Sequence, residues 1–491
     1  MTYLALTIGP IYKTLKDAKK TRELWGGSYI FSYVMKQIIE QFQEREFVVP
    51  YIKDKSIFES GKEIGLFHDR FIFESQEGDR EKLETRVDEV LHYLSEDTKV
   101  DYNFLKSYFQ INIVEKELKE GENPILEMTP YLDTAELFSD VPQYQENKLT
   151  KMLKGNNSFL AQEAFGEKKS FPSLPEIAMS DISEVNVKAL LHDDELEVYE
   201  NSELKPHLKP YHKYYAIVHA DGDSMGKVVE KLKGREAFQE FSKKLFEYGQ
   251  TSHGLIKAFG GETIFAGGDD LLFFAPVVSG NKSIFELCDE ISRGFNEEFK
   301  GTEATLSFGV SIQYYKFPLY EALENSRNLL DTDAKESKKE KEDRKKNNIA
   351  FCVTKHSGQT FKAIIHKKGE LYENFKLFSS NLQGGDDIDN FLHSIHHKIE
   401  SNKPLLKEIA QNEEQLQNFF DNYFNETVHD EYRDFFTQLV SFISHSYIVI
   451  DKEEKAYLEK HNKEMPKKMK QNPLDKVYAT LRFIKFVQGD K

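Results

Sequence analysis

Two short acidic runs carry the chemistry in this sequence: Asp221-Gly222-Asp223 and Gly267-Gly268-Asp269-Asp270. Hard divalent cations prefer carboxylate oxygens as ligands. Two such cations about 3.5–4 Å apart activate an attacking oxygen and neutralise charge on a departing pyrophosphate, which is most of what nucleotidyl transfer needs. Asp221, Asp269 and Asp270 are therefore candidate ligands for two Mg²⁺ or Mn²⁺ ions, and Asp269 and Asp270 are the candidate catalytic pair. Asp223 is a fourth candidate ligand, with capping of the following helix as its alternative role. Gly267 and Gly268 permit a tight turn and a close approach of nucleotide to backbone. Gly222, Ser224, Met225, Gly226 and Lys227 complete the nucleotide-binding candidates. They open a helix whose free N–H groups, with the lysine, suit a triphosphate. Either run alone reads as an ordinary Asp-Gly turn. Together, in one structural unit, they point to a site.

The elements that must position these residues follow a βαββαβ order. YYAIVHAD at 214–221 reads as a strand, with helical patterns at 224–232 and 235–258. GGETIFAGGDDLLFFAPV at 260–277 reads as a hairpin with GGDD at its tip. A helix at 281–299, an alternating strand at 304–315, a helix at 318–330 and a strand at 348–353 complete the unit. The same order occurs earlier in the chain. It comprises strands at 3–9, 47–52 and 108–114, a turn leading into a further strand at 65–73, a long helical pattern at 12–42, and an amphipathic helix at 79–97. That last helix carries Leu83, Val87, Val90, Leu91 and Leu94 on one stripe. At the position of the GGDD tip this earlier copy has Phe67-His68-Asp69-Arg70, and its first strand ends Thr7-Ile8-Gly9 without an acid. It cannot assemble the same metal site. The expected fold is α+β, with two ferredoxin-like βαββαβ domains. A degenerate copy spans 1–120, a mainly helical connecting domain 121–210, the catalytic copy 211–358, and a helical C-terminal domain 359–491.

Composition bounds the rest. With 491 residues, 39% hydrophobic and 30% charged, the chain is long enough for several buried cores. The net charge of −17 lacks the overall basic character of a free nucleic-acid binder, so any RNA contact must be local or arranged by partner proteins. Two cysteines exclude a disulfide framework and a four-cysteine zinc ribbon. The start, MTYLALTIGP, has no basic segment followed by a long apolar run, and no stretch approaches the length of a membrane span, so a cytoplasmic protein is expected.

Five segments resemble a known family, the large palm-domain subunit of type III CRISPR effector complexes in the Cmr branch (the Cas-ten family). TIGPIYKTLKDAKKTRELWGGSYIFSYV at 7–34 resembles its N-terminal signature, and HDRF at 68–71 its Pro-Asn-Arg-Phe segment with the first two positions changed. HADGDSMGK at 219–227 with FAGGDDLLFF at 265–274 resembles the catalytic palm, and the match continues through TLSFGVSIQYYKFPLYEALENSRNLLDTDAK at 305–335. The resemblance implies a palm that joins ATP units into cyclic oligoadenylate when the complex binds target RNA. Some members instead join AMP to S-adenosylmethionine, using the same metals with a different acceptor. It also implies partners: other Cmr-type subunits, guide RNA and target RNA, with no membrane. Lys335 follows Ala334 as in the family's Ala-Lys pair, with phosphate contact and solvated surface as its two readings. The signature begins at residue 7, which leaves no room for the family's HD nuclease domain, and no DNA cleavage is expected.

The competing readings are a scaffold subunit with an inert palm and a stand-alone diguanylate-type cyclase. Intact Asp221, Asp269 and Asp270 argue against the first, and the upstream degenerate copy against the second. Trp25 and His219 read as core residues, and the His-Asp pairs at 68–69, 192–193 and 429–430 as incidental. The charge run at 335–346 and the cluster Lys467, Lys468 and Lys470 read as solvated segments.

Overall fold

The computed structural model describes all residues except 60–62, 138–147, 155–159, 161, 164–170, 191–198, 200, 336–345, 381–387, 424–431, 466–471 and 489–491. The charge run and the lysine cluster thus lie largely outside the described residues, as do the His-Asp pairs at 192–193 and 429–430.

The first unit contains β1 (Thr2–Gly9), α1 (Ile11–Lys16), α2 (Thr21–Glu40), β2 (Phe47–Val49), β3 (Arg70–Glu74), α3 (Asp79–Thr98), α4 (Tyr102–Tyr108) and β4 (Gln110–Glu117). Its sheet runs β2-β3-β1-β4, with antiparallel pairs throughout. The apolar run of β1 places it centrally, with Leu4, Ala5 and Leu6 fully buried. The α3 stripe expected from periodicity packs inward, with Leu83, Val90, Leu91 and Leu94 buried and Val87 at its edge. The helix expected over 12–42 is instead two helices. The chain turns at residues 17–20, where the Glu23 carboxylate accepts from the Lys19 N–H at 2.8 Å. Pro50 has no N–H to offer a ladder, and β2 stops before it. α5 (Pro124–Leu137) then covers the outer face of this sheet through Met128 and Leu132.

The second unit contains β5 (Tyr214–Asp223), helices Met225–Lys231 and Arg235–Ala258, β6 (Glu262–Gly267) and β7 (Asp270–Pro276). A small hairpin of β8 (Val278–Ser279) and β9 (Lys282–Ser283) follows, then helix Ile284–Glu298 and β10 (Thr305–Tyr314). Helix Leu319–Asn328 continues as a wider π turn, Leu329–Ala334, before β11 (Asn348–Thr354) and β12 (Thr360–His366). The sheet order is β12-β11-β10-β5-β7-β6. Its core order β10-β5-β7-β6 repeats β4-β1-β3-β2 strand for strand, so the duplication is one of topology.

One expectation is corrected here. Residues 360–366 are not helical, and the sheet does not end before 358. β12 pairs antiparallel with β11 from Asn348↔His366 to Thr354↔Thr360. Its TFKAIIH sequence buries Phe361, Ala363 and Ile365 in alternation, a period of two that marks a strand. The helices beyond it, from Glu370–Ser379 to Pro473–Gln488, share one core with the second sheet. Phe285 sits between Phe351, Phe375 and Phe483 at centroid distances of 4.8, 5.2 and 4.6 Å. The expected stripe Phe435, Phe436, Leu439, Phe442 and Ile443 is buried there. The two ferredoxin-like units also share a core, because Tyr215, Ile217, Leu272 and Phe274 of the second sheet pack among first-unit residues including Trp25 and Tyr29. No described helix is long and apolar enough to cross a membrane.

Candidate active site

β5 is the middle strand of the site, and its register sets the neighbours. Asp221 lies opposite Ser307 and Asp223 opposite Thr305 on β10, while Ala220 faces Leu271 on β7. Gly267 and Asp270 close the β6–β7 hairpin, with Gly268 and Asp269 at its tip. The tip therefore stands beside the end of β5, and only glycine fits where they meet. A β-carbon on Gly222 would lie 2.6 Å from Asp269 Oδ2. Gly268 has φ +68°, and a β-carbon there would approach the His68 ring to 2.7 Å.

Asp221, Asp269 and Asp270 line one cleft of about 990 Å³ between the two units, at the upper end of small-molecule sites. Met225, Gly226, Gly267 and Gly268 line it too, as do His68, Asp69, Arg70 and residues 9–13 of the first unit. The acids crowd one another. Burial, then the neighbouring Asp221 charge, pushes the Asp269 carboxyl up to about 7, opposed by Lys335. Asp270 is raised well above the usual carboxylate range by burial and by Asp221 and Asp269. Its side chain meets solvent beside the Asp221 and Asp269 carboxylates.

Lys335 is not surface. Its side chain is 15% exposed, and its ammonium contacts Asp221 Oδ2 and donates to the Gly222 carbonyl at 2.8 Å. Asp223 is 1% exposed and caps no helix. Its Oδ2 accepts from Thr305 Oγ1 and Ser307 Oγ, both at 2.8 Å, and from the Asn347 N–H at 2.9 Å. Lys227 and Ser224 depart from expectation. Lys227 is exposed and paired with Glu303 at 2.9 Å, because the helix it opens turns that face outward. Ser224 adopts a left-handed conformation at the helix start and is not among the residues lining the cleft. Trp25 is placed as expected, buried and stacked on Tyr29 at 5.0 Å. His219, read as a core residue, is instead half-buried and lines the cleft, with its Nδ1 bonded to Ser326 Oγ at 2.8 Å.

His68 and Asp69 were passed over in the sequence. They occupy the turn of the degenerate unit that corresponds to the GGDD tip, and the two turns face each other across the cleft. The duplicated strand order was the signal that locates them. Burial keeps His68 neutral, with its pKa lowered to about 4, and raises the Asp69 carboxyl.

Among the described residues, no group of three or more His, Cys, Asp or Glu side chains is gathered at metal-holding geometry. The donor set nevertheless fits divalent cations. Asp221, Asp269 and Asp270 share one cleft with the Lys335 ammonium close by, and the raised pKa values of Asp269 and Asp270 express an excess of negative charge that added cations would relieve.

Two family models match the chain: Cas10/Cmr2, second palm domain, over residues 214–350, and CRISPR-associated protein Cmr2, N-terminal, over residues 3–99. The CRISPR system Cmr subunit Cmr2 of Pyrococcus furiosus is 29% identical over 178 residues, a match spanning 31% of this chain and 20% of that relative. Two solved structures share the fold at 12% identity. A Type III-B Cmr-beta bound to cognate target RNA has a TM-score of 0.54 over 99% of this chain and 83% of its own. A Csm1-Csm4 cassette in complex with cA4 has a TM-score of 0.52 over 99% of this chain and 70% of its own. The second unit thus matches the Cas10/Cmr2 second palm domain and the first unit the Cmr2 N-terminal domain, so both units of the chain are similar to the Cas10/Cmr2 family.

Proposed function

We propose that this chain is a subunit of a type III CRISPR effector complex whose second palm transfers a nucleotidyl group from ATP, making a small nucleotide signal when target RNA is bound. The observation that carries the reading is the shared cleft. Asp221, Asp269 and Asp270 face it from one palm, while residues 9–13, His68 and Asp69 close it from the other. The cleft has room for a donor and an acceptor. An acceptor hydroxyl oxygen bonds to the α-phosphorus of ATP, the bond from that phosphorus to the bridging oxygen breaks, and pyrophosphate leaves. The hydroxyl proton passes to solvent or to a carboxylate at the site. Asp221, Asp269 and Asp270 would hold two Mg²⁺ or Mn²⁺ ions, which supply charge neutralisation at the phosphates. Met225 and Gly226 bring backbone to the cleft, and Lys335 carries the ammonium nearest the acids. With a second ATP as acceptor the first product is a linear dinucleotide that keeps one triphosphate; further transfers lengthen it, and attack of its terminal hydroxyl on the α-phosphorus of the first unit, with loss of that unit's pyrophosphate, closes the cyclic oligoadenylate. Related folds recorded in complex with cA4 and with AMPPNP support a nucleotide-binding cleft.

One observation favours the second reading, with S-adenosylmethionine as acceptor. The first-unit wall presents Asp69 and Glu136, and Arg70 between them is already paired with Asp133 and Glu136, both at 2.7 Å. Lys13 lines the same wall, and it is the two carboxylates that suit a sulfonium and an ammonium better than a second triphosphate. Incubating the assembled complex with ATP, Mg²⁺ or Mn²⁺ and target RNA, with and without S-adenosylmethionine, tests both readings. Mass analysis separates cyclic oligoadenylate from the AMP conjugate. No product of either kind would overturn the proposal.

A further inference from the structure

Asp223 has one saturated oxygen and one orphan. Oδ2 takes three donors, from Thr305, Ser307 and Asn347. Oδ1 is buried without a hydrogen-bond partner, and its nearest cation is Lys335 Nζ at 3.9 Å. Such an atom ordinarily finds a partner, because leaving a buried acceptor unmade is costly. Lys335 has a donor to offer. An ammonium carries three, and Asp221 Oδ2 and the Gly222 carbonyl take two. The peptide unit that precedes it is pinned at both of its polar atoms. The Lys335 N–H donates to the Leu330 carbonyl at 2.8 Å, and the Ala334 carbonyl accepts from Asn348 Nδ2 at 2.7 Å. With that peptide held, a swing of the side chain brings the amine to Oδ1, and closing the gap to hydrogen-bond length takes about 1 Å.

We infer that Asp223 is a positioning residue and not a metal ligand: it is the second seat of Lys335. The ammonium rests on Asp221 while that carboxylate lacks a divalent cation, and moves onto Asp223 Oδ1 when the carboxylate is given over to one. The inference rests on the two-cation reading above and adds to it an exchange of counterions at Asp221. The amine stays beside the site, charged and available to phosphate oxygens, instead of being expelled into solvent. The Asp-Gly-Asp spacing then has its own reason. Asp221 and Asp223 flank the carbonyl of Gly222, which keeps hold of the amine in either seat.

The test is Mn²⁺ affinity of the full chain, measured by electron paramagnetic resonance and by calorimetry, in a double-mutant cycle. Asp223→Asn keeps an oxygen for Thr305, Ser307 and Asn347 but offers the amine no charge. It is expected to weaken Mn²⁺ binding about tenfold when Lys335 is present and less than about twofold beside Lys335→Met, the signature of coupling through the amine. Equal weakening in both backgrounds would overturn the inference while leaving the cation site intact. Failure of the unmodified chain to bind Mn²⁺ would overturn both this inference and the two-cation reading. Should Asp223→Asn lower the unfolding midpoint sharply, Lys335→Arg replaces it. The bulkier guanidinium cannot exchange seats on the same short path, so weaker Mn²⁺ binding than in Lys335→Met is expected, and equal binding would count against the exchange.

Discussion

His68 of the first unit packs against Gly268 of the second so closely that a β-carbon on the glycine would come within 2.7 Å of the imidazole Cε1. Two corresponding turns of a duplicated fold thus meet tip to tip. The contact sets how far the GGDD turn stands from the opposite wall, and neutral His68 does so without adding charge to an already crowded site.

Gly268→Ala is therefore expected to lose stability on two counts, the positive φ and the clash with His68. A cost of roughly 1–3 kcal/mol is expected, with strong loss of product. Adding His68→Ala should restore part of the stability, by relieving the clash but not the backbone strain. Thermal unfolding of the single and double variants measures it. No recovery in the double variant would show that the contact is not what limits the turn.

Asp269→Ala with Asp270→Ala should abolish the nucleotide product and leave assembly into the complex unchanged. Retained synthesis by that variant would sink the site assignment.

Asp269 also makes a pH prediction for the chain held in chelator. Its folded pKa, about 7, lies above that of a free carboxylate, so between roughly pH 4 and 7 the folded state binds more protons than the unfolded one. Stability from this group is then present at low pH and is lost as pH rises through 7. Asp269→Asn should flatten that fall in a denaturant series run from pH 4 to 8.

Lys367 carries the opposite sign. Its ammonium is buried over the Phe308 ring and donates to Ser292 Oγ, and burial lowers its pKa to about 8. The folded state then releases this proton before the unfolded one does, so stability should climb from about pH 8 towards 10.5. Lys367→Met should stabilise the chain at pH 7 by roughly 2 kcal/mol and remove that climb. A less stable variant would mean that the Ser292 bond outweighs the desolvation.

Asp69→Asn restores the residue that the family's Pro-Asn-Arg-Phe segment carries at this position. It should lower the yield of the S-adenosylmethionine conjugate relative to cyclic oligoadenylate, read by mass analysis of one reaction. An unchanged ratio would remove Asp69 from acceptor choice. Lys227→Ala, by contrast, should leave product formation near the unmodified level. It removes an exposed pair with Glu303 of the kind worth about 0–1 kcal/mol.

The sequence by itself determined the strand order of both units, the acids of the second and their absence from the first. Those features are written in period-two and period-3.6 patterns and in residue type, which are local along the chain. β12 was legible too, in the alternation of Phe361, Ala363 and Ile365, once read as a strand instead of the start of the helical third. What only the tertiary structure decided was which side chains share a space. Lys227, four residues after Asp223, faces Glu303 on the outside, whereas Lys335, far along the chain, reaches Asp221. Asp223, read as a ligand or a cap, caps no helix and is held through Oδ2 by Thr305, Ser307 and Asn347. His68 and Asp69 looked incidental, and stand in the cleft. Each of these depends on the packing of one unit against another or on the pairing of distant strands. No short-range pattern encodes it, because a side chain's partner is set by where the sheet and its neighbours bring the backbone.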